Sequence, residues 1–375
     1  MFSKATLKKV LGWGSAAYVA YRTVSAILDA NNEEHDGAAP RDRRDEQQAT
    51  AAGADASSAN PDAAPHGHLF GGTYFRSKTN GLWIHYRSWS SPSARATNHV
   101  VVLCHGLGEH IGRYDHVAAA LVAAGFTVFA LDHQGHGRSE GTRCYLKRFG
   151  DVVDDVLQFT REVAAPPNGR ARRAGGKVFL LGHSMGGQIG IQCILAAPAG
   201  TFDGAVLSAP AIEPDPAIAT PVNLFLSNAL TGLLPKLAVD PIAADKIARS
   251  NVVVAQYELD ALNWHGGIRI RLGDELLKAM RSSLARAGEF RVPLLLQHGT
   301  ADQLVLIGGT HAFFEACGSD DKALQEYDGW FHEIFNECED DCGVEVDARS
   351  GVATNRALRD AVAWLAERAA GEVAL

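Results

Sequence analysis

The sequence predicts an α/β fold with a mainly parallel central sheet that helices cover on both faces. Apolar runs such as HVVVLC, KVFLL and VPLLLQ are typical of strands that are buried on both sides. They alternate with helical stretches such as YDHVAAALVAAG and NRALRDAVAWLAERAA, and this alternation indicates a parallel sheet. Among 375 residues, 46% are hydrophobic and 21% are charged, which is enough apolar material for a large core.

Residues 1–30 differ from the rest of the chain. Three lysines precede the stretch LGWGSAAYVAYRTVSAIL, which contains Arg22, and no acidic residue comes before Asp29. The stretch is at the short limit for a membrane span. We predict a membrane-associating or targeting segment, with an interfacial helix, a mitochondrial presequence, a cleaved signal and a helix packed on the protein as open alternatives. The expected location is therefore a membrane in an unspecified organelle, or else mitochondrial or cytoplasmic.

Residues 31–67 contain no large apolar side chain, which predicts a disordered linker. Residues 68–375 then predict one α/β domain, beginning with the alternating strand pattern GLWIHYRSWS. Residues 211–289 interrupt the alternation between two strands that should be neighbours in the sheet. An insertion at this point is expected to fold as a helical lid over the site, and its Leu, Phe, Ala and Pro content suits an apolar tunnel. An ordinary helical subdomain is the alternative.

The charge and the potential metal ligands exclude several function classes. The chain has 35 basic and 43 acidic residues, a net charge of −8, which argues against a general nucleic-acid binder. Cys338 and Cys342 lie close together, but no second pair completes a zinc site. His66 and His68 lack further ligands nearby and predict a solvated loop. We therefore expect no metal and no organic cofactor.

Two G-x-S-x-G pentapeptides could each form a nucleophile elbow, a strained strand-to-helix turn that exposes a serine. Ser184 follows the apolar run VFLL directly and precedes MGGQIGIQCILAA, a helical stretch with small residues in its first turn. Ser139 has no strand immediately before it and no helix immediately after it. The context therefore favours Ser184 as the nucleophile, with a buried structural serine as the alternative.

A serine nucleophile needs a base and a carboxylate that orients the base. In the α/β-hydrolase arrangement these follow in the chain order Ser, acid, His. VPLLLQHGTAD is a late strand that ends in Asp302, and ALQEYDGWFHE leads from the next strand to His332. The sequence therefore predicts Asp302 as the acid and His332 as the base. A capping aspartate and a loop histidine are the alternative interpretations.

The oxyanion hole is expected to use two backbone N–H groups. One comes from the residue after the nucleophile, which is Met185, and the other from an earlier strand-to-helix loop. The loop HGLGEH follows HVVVLC directly, and its glycines allow the backbone to approach a substrate. Leu107 is therefore the predicted second donor.

With these residues in place, the sequence resembles the monoglyceride lipase and lysophospholipase branch of the α/β-hydrolases, which is serine aminopeptidase S33-like. The blocks HGLGEHIGRY, DHQGHGRSEG, GHSMGG, LLLQHGTAD and FHEIFNE carry the resemblance over residues 69 to 368. It implies an α/β-hydrolase fold and the triad Ser184, Asp302 and His332. It also implies that Glu109 and Arg113 help build the alcohol-binding end of the pocket, with a buried structural ion pair as the alternative. Asp132, His136 and Ser139 match a loop that we interpret as structural.

The resemblance implies a serine hydrolase that cleaves the ester of a monoacylglycerol or a similar monoacyl lipid. A lysophospholipase, a general carboxylesterase or acyltransferase, and a non-enzymatic small-ligand receptor on the same fold are the alternatives. Expected partners are a lipid ester substrate and a membrane surface, contacted by the N-terminal segment and by lid residues such as Leu224, Phe225, Leu226, Leu233 and Leu234. Acyl-chain length, head group and oligomeric state stay open, as does the role of the acidic insertion 337–351.

Overall fold

The structure is a computed structural model. It describes residues 73–91, 97–169, 171, 174–214, 231, 234–239, 241–337, 345–346 and 353–371. The predicted N-terminal segment 1–30 and linker 31–67 lie outside these residues, as do His66, His68, the cysteine pair and most of the acidic insertion. Those interpretations stay predictions.

One sheet of eight strands forms the centre of the described chain. Its strands are β1 (Thr73–Arg76), β2 (Trp83–Trp89), β3 (Val100–Cys104), β4 (Thr127–Leu131), β5 (Val178–His183), β6 (Gly204–Ser208), β7 (Leu294–Gly299) and β8 (Lys322–Tyr327). Their spatial order is β1-β2-β4-β3-β5-β6-β7-β8. Strands β3 to β8 pair in parallel, whereas β2 is antiparallel to both of its neighbours. The predicted mainly parallel sheet is confirmed.

Helices connect most of the parallel strands. They are α1 (Asp115–Ala123), α2 (Phe149–Phe159), α3 (Met185–Ala196), α4 (Asn251–Leu259), α5 (Ile270–Ala285), α6 (Ile307–Ala316) and α7 (Arg356–Ala370). A small strand pair, β9 (Glu345–Val346) with β10 (Ala353–Thr354), precedes α7. None of the helices within the described residues is both long enough and apolar enough to cross a bilayer.

The sheet has an apolar layer on each face, as the uninterrupted apolar runs predict. In β3, Val102 and Cys104 face a cluster that includes residues of α2 and α3, while Val101 and Leu103 face a second cluster with residues of α1 and α7. All four β3 side chains have no exposed surface. Burial of such side chains contributes about 1.5–3 kcal/mol each, so the two-sided core fixes the position of the central strands.

The strand order places the candidate residues at one edge of the sheet. Because β3, β5, β7 and β8 are parallel, the loops that follow them all leave at their carboxyl ends. The order reverses between β3 and β5, and such a switch point is where open α/β sheets bind ligands. Leu107 follows β3 and Ser184 follows β5, so both lie at that point.

The long insertion lies between β6 and β7 and contains α4 and α5. Its last helix packs against the sheet-covering helix α3: the side-chain amides of Gln188 and Gln192 donate to Ser283 Oγ at 2.7 and 2.8 Å. The part of the insertion that precedes α5 contributes three isoleucines to the wall of the cavity beside Ser184: Ile242, Ile247 and Ile268. The described part of the insertion therefore has one segment over the site, 241–269, and one helix in the layer on the sheet.

Candidate active site

Ser184 occupies the sharp turn between strand β5 and helix α3. Because β5 ends at His183 and α3 begins at Met185, this single residue makes the whole connection. Its φ of 54° and ψ of −119° are strained for a residue with a side chain. Ser184 is 9% exposed and lines a cavity. This is the turn that the pentapeptide GHSMG predicts.

Glycines beside Ser184 allow this turn to form. A Cβ at Gly186 would overlap the carbonyl oxygen of Cys104 on β3, and a Cβ at Gly182 would overlap the carbonyl oxygen of Gly186. At Gly187 a Cβ would lie 2.8 Å from a carbon of Pro210. Strand and helix backbones therefore approach each other more closely than any side chain permits.

Asp302 and His332 meet in the loops after β7 and β8. His332 Nδ1 donates to Asp302 Oδ2 at 2.6 Å. The other carboxylate oxygen, Oδ1, accepts the backbone N–H groups of Leu304 at 2.8 Å and Val305 at 3.1 Å. This arrangement places the proton on Nδ1 of His332 and leaves Nε2 as its basic nitrogen. His332 and Ser184 line the same cavity.

The two groups change each other's protonation. Burial alone would lower the pKa of His332, but the Asp302 carboxylate outweighs burial and raises this pKa above its ordinary value. Burial alone would raise the pKa of Asp302, but His332 and His298 hold it well below the usual range for a carboxyl group. Asp302 is therefore ionised near neutral pH, and His332 is a stronger base than an isolated buried imidazole.

The cavity has a volume of about 120 Å³ and a mostly apolar wall. Helix α5 contributes Leu276 and Met280, and the loop after β7 contributes Leu304 and Val305. Among the described residues, its charged lining consists of Glu109, Arg113 and Glu333, beside the imidazoles of His183 and His332. Such a cavity suits an acyl chain together with a polar group.

The loop after β3 is held against the site by its own side chains and by the insertion. The Gly106 N–H donates to Glu109 Oε1 at 2.6 Å, and the Trp264 N–H donates to the carbonyl of Gly108 at 2.7 Å. Leu107 lies between these anchors and lines the cavity with Met185. Within the described chain, the backbone N–H groups of Leu107 and Met185 have no hydrogen-bond acceptor. Both are thus available to a negatively charged oxygen near Ser184.

Glu109 and Arg113 belong to a buried cluster that includes Glu333. Arg113 donates to Glu109 Oε2 at 2.8 Å and forms a two-pronged pair with Glu333 at 2.5 and 2.8 Å. Tyr114 donates to Glu109 Oε1 at 2.6 Å. The two glutamates hold the pKa of Arg113 above its ordinary value against the opposing effect of burial. The structural ion pair left open by the sequence is present, and its members also line the cavity.

Two glutamates that the sequence did not indicate, Glu333 and Glu337, fasten the loop of His332. The Glu333 N–H donates to the carbonyl of Ile247 in the insertion at 2.8 Å. Glu337 Oε1 accepts the N–H groups of Phe331 at 3.1 Å and Arg249 at 3.0 Å, and Oε2 accepts Arg249 Nε at 2.8 Å. Only their closeness to His332 in FHEIFNE could have indicated them, because their partners in the insertion, Ile247 and Arg249, are almost 90 residues away along the chain.

The loop with Ser139 forms a separate, buried polar network. Ser139 Oγ donates to the carbonyl of Asp132 at 2.5 Å and accepts the His85 N–H at 2.9 Å. Asp132 accepts the Ile111 N–H at 2.8 Å and contacts His85 Nδ1 at 2.8 Å. His136 is buried in the same loop. These contacts support the structural interpretation of Asp132, His136 and Ser139.

Comparisons with known proteins identify the family. The model of a family described as serine aminopeptidase, S33, matches residues 95–339. The chain belongs to this family. As an S33 family member with this sheet order, the protein is a hydrolase of the α/β-hydrolase fold.

Several relatives of this S33 hydrolase carry lipase names. A monoacylglycerol lipase of Mycolicibacterium smegmatis is 36% identical over 259 residues, which is 69% of this chain and 89% of the relative. The monoglyceride lipase of Homo sapiens is 32% identical over 291 residues, 78% of this chain and 89% of the relative. The crystal structure of the Paleococcus ferrophilus monoacylglycerol lipase is 28% identical with a TM-score of 0.64, covering 76% of this chain and 98% of that one.

Proposed function

We propose that this S33 hydrolase cleaves the ester of a monoacylglycerol, or of a similar monoacyl lipid, to a fatty acid and an alcohol. The observation that carries the proposal is the 2.6 Å hydrogen bond between Asp302 and His332 beside a cavity that Ser184 also lines. An imidazole oriented by a carboxylate, next to a strained serine that opens onto a cavity, is the arrangement of serine ester hydrolases.

The reaction begins when His332 Nε2 takes the proton of the Ser184 hydroxyl as its oxygen attacks the ester carbonyl. The backbone N–H groups of Leu107 and Met185 stabilise the negative oxygen of the tetrahedral intermediate. His332 then gives the proton to the leaving alcohol, and the acyl group stays on Ser184. Water, activated by His332, hydrolyses this acyl-enzyme and releases the fatty acid. Asp302 keeps its charge throughout and stabilises the imidazolium.

The cavity wall supports a lipid ester as the substrate. Apolar side chains from the insertion and from α5 suit an acyl chain, and the Glu109–Arg113–Glu333 cluster suits a polar alcohol. Two carboxylates face one guanidinium in this cluster, so its net charge is negative. A phosphate head group would be repelled there, whereas glycerol would not. This favours a monoacylglycerol over an anionic lysophospholipid, and the relatives named monoglyceride lipase point the same way.

Peptide cleavage, which the family description names, has weaker support. An aminopeptidase needs a free carboxylate for the ammonium group of the substrate. In this cavity Glu109 Oε1 accepts from Gly106 and Tyr114, and Glu109 Oε2 accepts from Arg113. Both oxygens of Glu333 accept from Arg113. Each oxygen of these two glutamates already accepts a hydrogen bond from within the chain, so an ammonium group would have to share them with Gly106, Tyr114 and Arg113.

The segment 241–269 acts as a lid that meets a membrane surface. The large hydrophobic side chains that are exposed in the described chain, Val239, Val252 and Leu259, all lie in the insertion. Of the residues expected from the sequence to contact lipid, Leu224, Phe225, Leu226 and Leu233 lie outside the described residues, and Leu234 is half-buried. The N-terminal segment 1–30 adds a second contact with the same surface. Two weak contacts together give stable membrane binding.

Labelling with a fluorophosphonate probe tests the triad. The full-length protein should react, and Ser184→Ala should not, while Ser139→Ala serves as the matched control and should keep its labelling if it folds. Equal labelling of Ser184→Ala would remove Ser184 from the proposed role.

A substrate panel tests the lipid. Monoacylglycerols, diacylglycerols, lysophospholipids and short esters are compared by kcat/KM, with monoacylglycerols expected to be the best. A preference for lysophospholipids would replace the proposed substrate, and binding of monooleoylglycerol without turnover would favour the receptor alternative.

A further inference from the structure

Three hydrogen bonds from the described residues reach the Asp302 carboxylate, and a second imidazole lies within 3.2 Å of it. Two backbone N–H groups serve Oδ1, and His332 serves Oδ2. The second imidazole is that of His298, whose Nε2 lies 3.2 Å from Asp302 Oδ2 and hydrogen-bonds the carbonyl oxygen of Val305 at the same distance. Oδ2 therefore contacts two imidazoles at once.

The surroundings of His298 fix its proton. Nε2 lies 3.2 Å from the carbonyl oxygen of Val305 as well as from the Asp302 carboxylate, and both of these atoms can only accept. Nε2 must therefore carry hydrogen. Nδ1 lies 2.8 Å from Oγ1 of Thr310 on α6, a hydroxyl that is able to donate. The side chains of His298 and Asp302 are fully buried, so no solvent competes for these bonds.

We propose that His298 is a positioning residue, which holds Asp302 Oδ2 through its Nε2–H group and thereby sets how strongly Asp302 acts on His332. This inference rests on the proposed triad. His298 is not among the described residues that line the cavity, so its effect on a substrate passes through Asp302. The chain anchors it at both ends, on β7 through the backbone and on α6 through Thr310.

The Nε2–H group of His298 should affect the pH dependence of catalysis. A donor on Oδ2 disperses the carboxylate charge, so removal of the Nε2–H group should strengthen the attraction between Asp302 and the imidazolium of His332. The proton would then leave His332 at a higher pH. The other charged or titratable groups that influence His332 come from the neighbouring loops: His183, Glu109, Arg113 and Glu333. None of them contacts His298, so its replacement leaves their influence in place.

Replacing His298 by glutamine or by asparagine tests its two ring nitrogens one at a time. Glutamine places its side-chain nitrogen near the position of Nε2, whereas asparagine places it near Nδ1. His298→Gln should therefore keep the bond to Asp302, and His298→Asn should keep only the bond to Thr310. We expect His298→Asn to lower kcat by roughly 10- to 100-fold with KM unchanged, since small misplacements of a catalytic group cost this much.

The acidic limb of kcat/KM against pH is the deciding measurement, made on full-length protein with a soluble ester. It should move to higher pH in His298→Asn and stay near the wild-type position in His298→Gln. An acidic limb that is the same in both variants would show a purely structural residue and overturn the proposal. If His298→Asn does not fold, Thr310→Val provides the second test: it frees His298 to turn away from Asp302 and should move the limb in the same direction. A limb unmoved in Thr310→Val would overturn the proposal as well.

Failure of the proposed function would look different. In that case Ser184→Ala or His332→Ala would keep its activity. If those variants are inactive and His298→Asn behaves as the wild type, the triad stands and only the role of His298 is refuted.

Discussion

At Leu107 the proposed chemistry uses the backbone and not the side chain. Leu107→Pro removes the N–H group and should lower kcat by about 10²–10³, which is the usual loss for one oxyanion donor. Leu107→Ala is the matched control, because it keeps the N–H group and changes only the cavity wall; its effect should fall on KM. Kinetics on a soluble ester measure both. Equal losses of kcat in the two variants would contradict the assigned role of the N–H group.

In the proposed mechanism, the pair Asp302 and His332 determines the acidic limb of activity. His332 must be neutral to accept the serine proton, and its pKa is raised above 6.5, so kcat/KM should fall as the pH decreases through this raised value. Asp302→Asn removes the charge that raises the pKa. The limb should then shift to lower pH, while kcat decreases by about 10⁴-fold.

The control for this change is Asp328→Asn, at an exposed carboxylate in the loop after β8. Its pH profile should match that of the wild-type protein. If the acidic limb of kcat/KM in Asp302→Asn stays at the wild-type pH, the group that titrates there is not His332.

The residues of the proposed site differ in how far the sequence predicts them. Ser184 is recognisable because the strained turn demands glycines at fixed positions on both sides of it. Asp302 and His332 are recognisable because each lies in the loop that follows a strand, in the right chain order. Glu333 carries no such signal, because its partner Arg113 is 220 residues away and only the folded chain brings the two together. His298 is four residues before Asp302, but it lies inside an apolar strand run, where no pattern indicates that its imidazole approaches the carboxylate.

At the scale of whole elements, the insertion fastens both loops that carry the proposed site. Ile247 and Arg249 bind the loop of His332, whereas Trp264 binds the loop of Leu107. Asp260 adds a second bond to the latter loop, with its Oδ2 2.8 Å from His110 Nε2. The segment between these contacts contains α4, which therefore bridges the two loops. Sequence patterns predict an insertion here but give no indication of these bonds.

Glu337 accepts three of the hydrogen bonds that hold the loop of His332, and this gives a prediction. In Glu337→Gln the side-chain NH₂ group would replace the carboxylate oxygen that accepts from Arg249 Nε. Because both groups are donors, this hydrogen bond is lost. We expect a decrease in the free energy of unfolding of about 1–3 kcal/mol and a lower kcat on a soluble ester. Glu367→Gln on α7, an exposed position, is the matched control. Thermal unfolding and kinetics measure the two effects, and an unchanged kcat would mean that the tie does not position His332.

The exposed face of α4 gives another prediction. Val252 is 66% exposed and Leu259 is 85% exposed. The double variant Val252→Gln, Leu259→Gln should bind phospholipid vesicles roughly tenfold more weakly, since each buried aliphatic side chain contributes about 1.5–3 kcal/mol at most. Ala363→Gln, at an exposed position of α7, is the control and should bind as the wild type does. Unchanged vesicle sedimentation of the double variant would exclude α4 from the contact.

For the molecule as a whole, the fold class follows from sequence because it depends on a coarse pattern. Two-sided apolar runs alternate with amphipathic helices, and a parallel sheet is the way to bury both. The spatial order of the strands is a different matter. It depends on which faces fit together, and the sequence offers no local signal for the reversal between β3 and β5.

A shortened chain tests whether the N-terminal segment contributes to membrane binding and the α/β domain alone to catalysis. A chain that starts at Pro65 should keep the kcat of the full-length protein on a short soluble ester. It should also be found less in the membrane fraction, because the proposed N-terminal contact is gone and α4 alone binds weakly. Fractionation of the two chains side by side measures this, and identical distributions would refute a role of residues 1–28 in membrane association.

The glycines around the nucleophile have a consequence for how this enzyme could be altered. Gly182 and Gly186 leave no space even for a methyl group, because the atoms opposite them are main-chain carbonyls that cannot rotate away. Any larger residue at these two positions should therefore disrupt the turn that holds Ser184. Changes in selectivity are therefore expected at side chains that line the cavity, among them Ile242, Ile247 and Ile268 of the insertion. A mutant library directed at those three positions should yield many folded members with altered acyl-chain preference, whereas one directed at the elbow should yield few folded members at all.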